Sequence, residues 1–234
     1  NQEEIKIIFE KYGREIPVDD LSTGEKQIVF RGAYLLKNIN SMSGGIILVD
    51  EPELSMHPMW QQKVLRYYRS LFNKNGSQEV QMIIATHSEY VLRSALEDRD
   101  NVLIIVLNDN NGTIYSKNII APTVLPTITS AETNYLAFGI ISVDYHIELY
   151  GYLQAKTENF TVKSCDDYIA AQIALFNPEL HEKVDSFTRP GGGITEYRTL
   201  PTFIRNAIDH PGPTRNYTKE ELKCSTELLI ELCR

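Results

Sequence analysis

The stretch GGIILVDEPELSMHP at residues 44–58 decides the fold of this chain. Residues 46–49 form an unbroken apolar run that ends in two adjacent carboxylates, Asp50 and Glu51, and Pro52 follows at once. Such a run predicts a short strand buried on both faces of a mostly parallel sheet, ended by the proline. Carboxylates at the carboxyl end of a buried strand are costly unless they meet a cation or a reacting group, and ligands of open α/β sheets bind at that edge. The stretch therefore predicts a site for a metal ion and a phosphate.

A helix is predicted to begin shortly before this strand, at LSTGEKQ (residues 21–27), and to run to about residue 39. Ser22 and Glu25 have the spacing of a capping box. Gly24 lies in the first turn, where the missing side chain leaves backbone N–H groups open to an anion. The rest of the helix is apolar on most faces, which predicts that it is well buried. An ordinary capped helix explains these local features equally well.

A second apolar strand is predicted at residues 80–85, next to the first one, and it ends at Thr86, His87 and Ser88. Ser88 or Thr86 can cap the helix predicted at residues 89–96. A lone histidine is more often structural than functional. Because His87 falls at the carboxyl end of a strand that neighbours the strand ending in Asp50 and Glu51, its position favours a functional role.

The remaining segments predict an N-terminal hairpin (residues 5–18), a hairpin at residues 102–120, a linker at 121–130 and a small α-helical domain at 131–234 without strands. The sequence PGGG at residues 190–193 is assigned to a flexible loop of that domain. Its helices are predicted at residues 131–138, 142–154, 166–176, 200–209 and 218–232. The predicted fold class is therefore α/β followed by a helical domain.

Composition narrows the possible functions. The chain has 234 residues and a net charge of −8, which argues against a uniformly basic nucleic-acid clamp but leaves a local basic patch open. Its three cysteines lack the spacing of metal ligands and indicate reduced thiols of a cytoplasmic protein. No apolar run is long enough to span a bilayer. No GxxxxGK[ST] phosphate loop occurs, so we expect the chain to be the C-terminal part of a longer polypeptide, or an N-terminal lobe to lie outside this numbering.

The order LSTGEKQ, IILVDEPELSMHP and IIATHS resembles the C-terminal lobe of an ABC-type ATPase head. The resemblance is to the SMC-like kind found in DNA-repair and phage-defence proteins, and it covers roughly residues 5–120. It implies that residues 1–120 form that lobe, a mostly parallel sheet with flanking helices. It also implies ATP and Mg²⁺ as cofactors.

The resemblance assigns a role to each motif. Ser22 and Gly24 would contact the γ-phosphate of an ATP held by a partner head, and Asp50 would be the Walker B aspartate that holds Mg²⁺. Glu51 would be the catalytic carboxylate that polarises the attacking water, and His87 the switch histidine that senses the γ-phosphate. Two further residues, Ser55 and His57, would lie in the D-loop between the heads.

The sequence departs from the family pattern at three points. The signature is LSTGE where many relatives have LSGGQ, and we expect Glu25 to cap its own helix rather than touch ATP. His57 replaces the D-loop aspartate, which leaves the contact across the heads open. Since the phosphate loop and the glutamine loop are absent, we expect this chain alone not to hydrolyse ATP.

The C-terminal helices carry a second pattern. Arg205, Asn206 and His210 form an RNxxxH motif that resembles the motif of HEPN-type ribonucleases, in which Arg and His act on the RNA 2′-OH and the scissile phosphate. The alternative is a salt-bridged Arg205 and a His210 that belongs to a helix stop before Pro211. The tail also resembles the C-terminal region of PtuA-like ATPases of the Septu defence system, whose HNH nuclease partner does the cutting. Aromatic and acidic residues at 142–154 would then form either a docking face for a partner or a core helix with one wet edge.

Three functions remain open at this point. The first is an ATPase subunit of an anti-phage complex, in which head-to-head pairing with a second copy controls an HNH-type nuclease subunit. The second is an ATP-gated ribonuclease that acts through Arg205 and His210. The third is a DNA-repair head, which a long coiled coil would favour and which this chain does not show. A nucleic-acid partner, the trigger and the oligomer order stay open, and no membrane partner is expected.

Overall fold

The computed structural model describes residues 8–11, 13–38, 42, 44–74, 77–78, 80–98, 100–119, 123–188 and 192–234. The chain divides into two compact units, Asn1–Val102 and Leu103–Arg234. The hairpin predicted at residues 102–120 therefore belongs to the second unit. Parts of five predicted segments lie outside the described residues: 5–7 and 12 of the N-terminal hairpin, 39 at the end of the first helix, 120 of the second hairpin, 121–122 of the linker and 190–191 of the glycine-rich loop.

The first unit alternates short strands with three helices. In chain order its elements are β1 (Ile8–Lys11), β2 (Arg14–Pro17), α1 (Thr23–Lys37), β3 (Ile46–Asp50), α2 (Pro58–Leu71), β4 (Asn73–Lys74), β5 (Ser77–Gln78), β6 (Gln81–Ala85) and α3 (Glu89–Glu97).

The second unit begins with a hairpin and continues mainly with helices. Its elements are β7 (Ile104–Asn110), β8 (Thr113–Ile119), α4 (Ser130–Phe138), α5 (Val143–Lys156), α6 (Val162–Ala171), α7 (Pro178–His181), β9 (Glu182–Thr188), β10 (Ile194–Thr199), α8 (Leu200–Asp209) and α9 (Lys219–Cys233). None of the helices in the described part of the chain is long and apolar enough to cross a membrane.

The two strands that carry the carboxylates and His87 are neighbours, as predicted. β3 and β6 pair in parallel, with Ile46 opposite Gln81 and Asp50 opposite Ala85. The prediction of a mostly parallel sheet is wrong for the described residues, because the other four strand pairs are antiparallel. The chain is α/β, but in the part that the structure describes each sheet has two strands.

Strand β3 is buried on one face only, which corrects the prediction of burial on both. Ile47 is 8% exposed and packs with Val64, Tyr68 and other residues of the core, whereas Leu48 is 75% exposed. Side chains alternate between the faces of a strand, and among the described residues only the Ile47 face is covered by helices. The apolar residues of β3 therefore lie partly in the core and partly on the surface of the described residues.

Helix α1 is also less buried than its composition predicted. Tyr34 is 67% exposed and Phe30 53% exposed, while Leu35 is 8% exposed and joins the core around Ile47. The described part of the helix packs on one side, so its remaining apolar residues face solvent. Its start is as predicted, since Ser22 caps it and forms a capping box with Glu25.

The prediction that residues 131–234 contain no strands is wrong. β9 and β10 form an antiparallel hairpin with Ile194 opposite Thr188. The hairpin is tied to α6 by the buried Asp166, whose carboxylate accepts hydrogen bonds from the backbone N–H groups of Arg198 and Thr199, both at 2.9 Å. These hydrogen bonds compensate the buried carboxylate for lost water and give two backbone N–H groups an acceptor.

Candidate functional site

The carboxyl edge of the β3–β6 pair places the two predicted acidic residues side by side. Asp50 lies opposite Ala85, and the N–H of Glu51 donates to the Ala85 carbonyl at 2.9 Å. The pairing therefore continues one residue beyond β3. Glu51 has a φ of 42°, in the left-handed region that residues with a side chain seldom adopt. Backbone strain of this kind collects at functional sites, where the surrounding structure enforces it.

The side chains of Glu51 and His87 face each other across this edge. Glu51 Oε1 lies 3.9 Å from His87 Nε2, which is longer than a hydrogen bond. The His87 side chain is 87% exposed and that of Glu51 is 38% exposed. Both polar groups are thus accessible to a ligand at the end of the strands, where the sequence placed a phosphate site.

Beneath His87 lies a carboxylate that sequence analysis did not select. Glu53 is buried, and its Oε1 accepts hydrogen bonds from the Thr86 hydroxyl at 2.5 Å and from the His87 N–H at 3.1 Å. The Thr86 hydroxyl oxygen also accepts the N–H of Ser88 at 3.0 Å. The only sequence signal was the third acidic residue in DEPE, because its partners lie over thirty positions along the chain.

The predicted signature segment forms the start of α1. The Glu25 N–H donates to Ser22 Oγ at 3.3 Å, and the Ser22 N–H donates to Glu25 Oε2 at 2.8 Å. The Lys11 ammonium also bonds the Glu25 carboxylate, and these hydrogen bonds hold the pKa of Glu25 at about 2. Glu25 therefore caps its own helix, as the sequence predicted.

Gly24 brings this helix start against the loop that follows β3. A Cβ at Gly24 would lie 2.6 Å from the Ser55 carbonyl oxygen and 3.4 Å from Met56 Cα. Ser55 has a φ of 62°, a second left-handed residue in the same loop. The glycine is thus required by close approach of two backbones. The signature residue and the D-loop residue predicted from the sequence are neighbours within this chain.

His57 begins the next helix. Its Nδ1 accepts the Met59 N–H at 3.3 Å, so the side chain is the N-cap of α2. The structure brings Gly24 to Ser55 and Glu51 to His87, with Asp50 on the same edge as Glu51. Ser22 and His57 each cap a helix at the border of this group.

The acidic pair fits one kind of metal better than others. Among the described residues no three His, Cys, Asp or Glu side chains come together as a metal site. Mg²⁺ is commonly bound in nucleotide sites by one or two carboxylates, the substrate phosphates and several waters. Asp50 is exposed at the strand end and can supply such a single ligand.

In the second unit, the three residues of the RNxxxH pattern also come together. Arg205 and Asn206 lie on α8, and His210 is its C-cap. With Arg215 they line a cavity of about 160 Å³. The His210 ring stacks on Phe187 of β9, with 6.4 Å between the ring centroids.

Carboxylates neutralise both arginines of this cavity. Arg205 Nη2 lies 2.7 Å from Asp209 Oδ2, and Arg215 Nη2 lies 3.3 Å from Asp185 Oδ2. Asp185 also accepts from the Asn206 side-chain amide at 3.2 Å. Asp185 and Arg215 were not predicted from the sequence, since neither belongs to the short motif. The salt-bridged Arg205 and the helix-ending His210 also fit the structural alternative to a ribonuclease site.

The docking face considered for residues 142–154 is not supported at two of its three aromatic positions, and Tyr152 is the partly exposed one. Tyr145 is fully buried and Tyr150 is 1% exposed, and both belong to the main core of the second unit. Glu148 accepts a hydrogen bond from the Thr129 hydroxyl at 2.6 Å. The structure favours the alternative of a core helix with a wet edge.

Comparison with known proteins agrees with the geometry of the first unit. Residues 1–92 match the family model of the AAA ATPase domain. The chain is 29% identical over 125 residues to "Retron Vc95 probable ATPase" of Vibrio cholerae serotype O1 biovar El Tor, which covers 50% of this chain and 22% of the relative. It is 33% identical over 110 residues to "Retron Ec83 probable ATPase" of Escherichia coli (43% of this chain, 19% of the relative). It is 29% identical over 124 residues to "Septu protein PtuA" of Bacillus thuringiensis (48% and 29%).

These matches confirm the resemblance to PtuA-like ATPases of phage defence, which was predicted from the C-terminal tail, beside the ATPase head that the three motifs indicated. The chain spans between about a fifth and under a third of the length of these relatives. The matched ATPase family model covers the segment that contains Ser22, Gly24, Asp50, Glu51 and His87.

Proposed function

We propose that this chain supplies one half of the ATP-hydrolysing apparatus of an anti-phage defence complex. The observation that carries the proposal is the accessible Glu51–His87 pair, 3.9 Å apart at the carboxyl edge of two parallel strands. The AAA ATPase match over residues 1–92 supports the reaction, and the names of the retron and Septu relatives support the setting.

Each residue of the first unit has a role in this proposal. Asp50 would hold Mg²⁺, which neutralises phosphate charge when bound. Glu51 accepts a proton from the attacking water, because it follows the metal ligand directly in the chain and its backbone is fixed by the bond from its N–H to the Ala85 carbonyl. The imidazole of His87 donates a hydrogen bond to an oxygen of the γ-phosphate. Phosphoryl transfer depends mainly on such positioning and on charge neutralisation, so few residues suffice.

The other half of the site must provide a phosphate loop, which the printed sequence lacks. Ser22 and Gly24 lie at the start of α1, where backbone N–H groups can bind an anion. We propose that they contact the ATP of a second copy of the protein. Ser55 borders that contact next to Gly24, and His57 caps the helix that follows. A head-to-head pair would then close around two nucleotides, and the pairing would control an associated HNH-type nuclease.

Hydrolysis is tested on the complete gene product and on the 234-residue chain in parallel. ATP turnover is expected from the complete protein, and Glu51→Gln should lower kcat by at least about 100-fold, since general-base catalysis contributes about 10²–10⁴. The 234-residue chain should show negligible turnover. Turnover by that chain alone, abolished by Glu51→Gln, would contradict the assignment of half a site.

Pairing and the nuclease need separate measurements. The Glu51→Gln protein with ATP and Mg²⁺ should double its mass in light scattering, and Ser22→Ala in the same background should stay smaller. Co-expression with the neighbouring reading frame should yield a complex whose nuclease activity changes with ATP. A mass independent of ATP would refute head pairing while leaving hydrolysis untouched.

A second candidate function is RNA cleavage by the second unit. The observation that favours it is the shared cavity of Arg205, Asn206 and His210. The complete protein, purified alone, should then cleave RNA, and Arg205→Ala and His210→Ala should each remove the activity. Cleavage that survives both substitutions, or that requires a nuclease partner, would exclude this candidate.

A further inference from the structure

Glu53 has a place in the structure that the proposed roles do not use. It lies between the strained Glu51 and the strained Ser55, and the whole residue is only 8% exposed. A carboxyl group buried to this extent is costly unless hydrogen bonds compensate for the lost water. The bonds that compensate it all lead to one short loop, residues 86–88 after β6.

Three hydrogen bonds of that loop lead to Glu53. Its Oε1 accepts the His87 N–H at 3.1 Å and the Thr86 hydroxyl at 2.5 Å. The Thr86 hydroxyl oxygen in turn accepts the Ser88 N–H at 3.0 Å. One carboxylate oxygen thus fixes the backbone of His87 directly and that of Ser88 through Thr86.

Gln61 connects the loop after β3 with the loop after β6 by hydrogen bonds that do not involve His87. Gln61 Oε1 accepts the Ser88 hydroxyl at 2.6 Å, and Gln61 Nε2 donates to the Met56 carbonyl at 3.0 Å. Gln61 therefore provides a matched comparison, because its loss weakens the same contact between loops while the bonds from Glu53 to Thr86 and His87 remain.

The His87 ring depends on its backbone for position. The side chain is 87% exposed, so packing does little to hold it, yet Nε2 lies within 3.9 Å of Glu51 Oε1. An exposed ring keeps such a distance only if the backbone that carries it is fixed. We propose that Glu53 is a positioning residue, which anchors the backbone of His87 and so aims the imidazole at the reacting side of Glu51.

This inference rests on the proposed ATPase function, and it can be measured at two levels. In the 234-residue chain, amide hydrogen exchange at His87 reports the anchor itself. In the complete gene product, kcat and KM for ATP report its effect on the reaction. The Oε2 atom of Glu53 has no hydrogen-bond partner among the described residues, so Glu53→Gln retains the accepting oxygen and serves as the conservative variant.

Glu53→Ala and Thr86→Val are expected to raise the exchange rate of the His87 amide at least tenfold. They should lower kcat by about 10- to 100-fold, the range found for residues that orient metal ligands, with KM for ATP within about twofold. Glu53→Gln and Thr86→Ser should restore both readouts to near the wild-type values. Gln61→Leu should lower thermal stability to a similar degree while protection of the His87 amide and kcat are retained.

Different results would overturn the two proposals separately. If wild-type protein shows no turnover that depends on Glu51, the ATPase assignment fails, and exchange at His87 still decides whether Glu53 is its anchor. If Glu53→Ala leaves His87 exchange unchanged, or lowers kcat no more than Gln61→Leu does, the positioning role is refuted. If Glu53→Gln loses kcat as fully as Glu53→Ala while the His87 amide stays protected, Glu53 acts on the reaction directly and the positioning role is again refuted.

Discussion

Replacement of Gly24 by alanine tests the packing that joins the start of α1 to the loop after β3. The added Cβ would lie 2.6 Å from the Ser55 carbonyl oxygen. Ordinary van der Waals contact begins at about 3.4 Å, so the two backbones must separate by roughly 0.8 Å (3.4 − 2.6). Ser55 cannot yield easily, because its φ of 62° is already strained.

Two opposing effects set the size of the change. Overpacking in a fitted contact costs about 1–3 kcal/mol. Alanine also gains up to about 1 kcal/mol over glycine in helix propensity. Because the clash is with backbone rather than with the end of a flexible side chain, the upper part of the first range applies. The expected net loss in the free energy of unfolding of the first unit is about 1–2 kcal/mol.

The matched control is Gly151→Ala in α5, where a Cβ would meet no atom within 4 Å. That variant gains only the propensity effect, so the second unit should become more stable by up to about 1 kcal/mol. Urea unfolding followed at probes in each unit would measure both changes. A Gly24→Ala chain as stable as wild type, or more stable, would refute the close approach of α1 to Ser55.

Three further predictions concern the second unit. Asp185→Ala leaves the mostly buried Arg215 without its carboxylate and should destabilise the unit by about 3 kcal/mol in urea unfolding, whereas an effect below about 1 kcal/mol would mean that the pair is solvated. Burial lowers the pKa of His146 to about 3, below its unfolded value of about 6.5. The free energy of unfolding should therefore fall as the pH drops below 6.5, by up to about 1.4 kcal/mol per pH unit. His146→Gln should flatten this slope, and an unchanged slope would mean that another group causes it. Burial raises the pKa of the Cys165 thiol to about 11 and that of Cys233 to about 12, and it also raises the pKa of Cys224, which is only partly buried. A thiol reagent at pH 8 should therefore label Cys224 first in the native chain, and rapid labelling of Cys165 and Cys233 would contradict their burial.

The sequence was most informative where local chemistry determines local structure. The caps at Ser22 and Ser88 follow from side chains that bond backbone within three residues, and the end of β3 at Asp50 follows from Pro52 two residues later. The parallel pairing of β3 and β6 followed from two apolar runs separated by one helix. The caps and strand ends were predictable because each depends on neighbours in the chain, and the pairing was predictable because a strand–helix–strand order favours parallel neighbours.

Features that depend on distant partners were not predictable in the same way. In the hairpin of β9 and β10 the polar Asp185 points inward while Val184 is 62% exposed, which reverses the usual pattern of a strand. Glu53 reads as one more surface acid until its bond to Thr86 is known. Burial of α1 and β3 was overestimated, because apolar residues such as Tyr34 and Leu48 indicate where contact is favourable and do not show whether a covering element is present.

The Ser22 hydroxyl can cap α1 and donate a hydrogen bond to a ligand at the same time. A serine hydroxyl offers one proton and two lone pairs, and the Glu25 N–H at 3.3 Å occupies only a lone pair. The proton can therefore be given to a phosphate oxygen while the helix keeps its cap. Aspartate is an equally good helix cap that carries no such proton and adds a negative charge. Ser22→Asp therefore separates helix capping from anion binding. It preserves the cap of α1 but places a negative charge that repels the anion to which serine could donate a hydrogen bond.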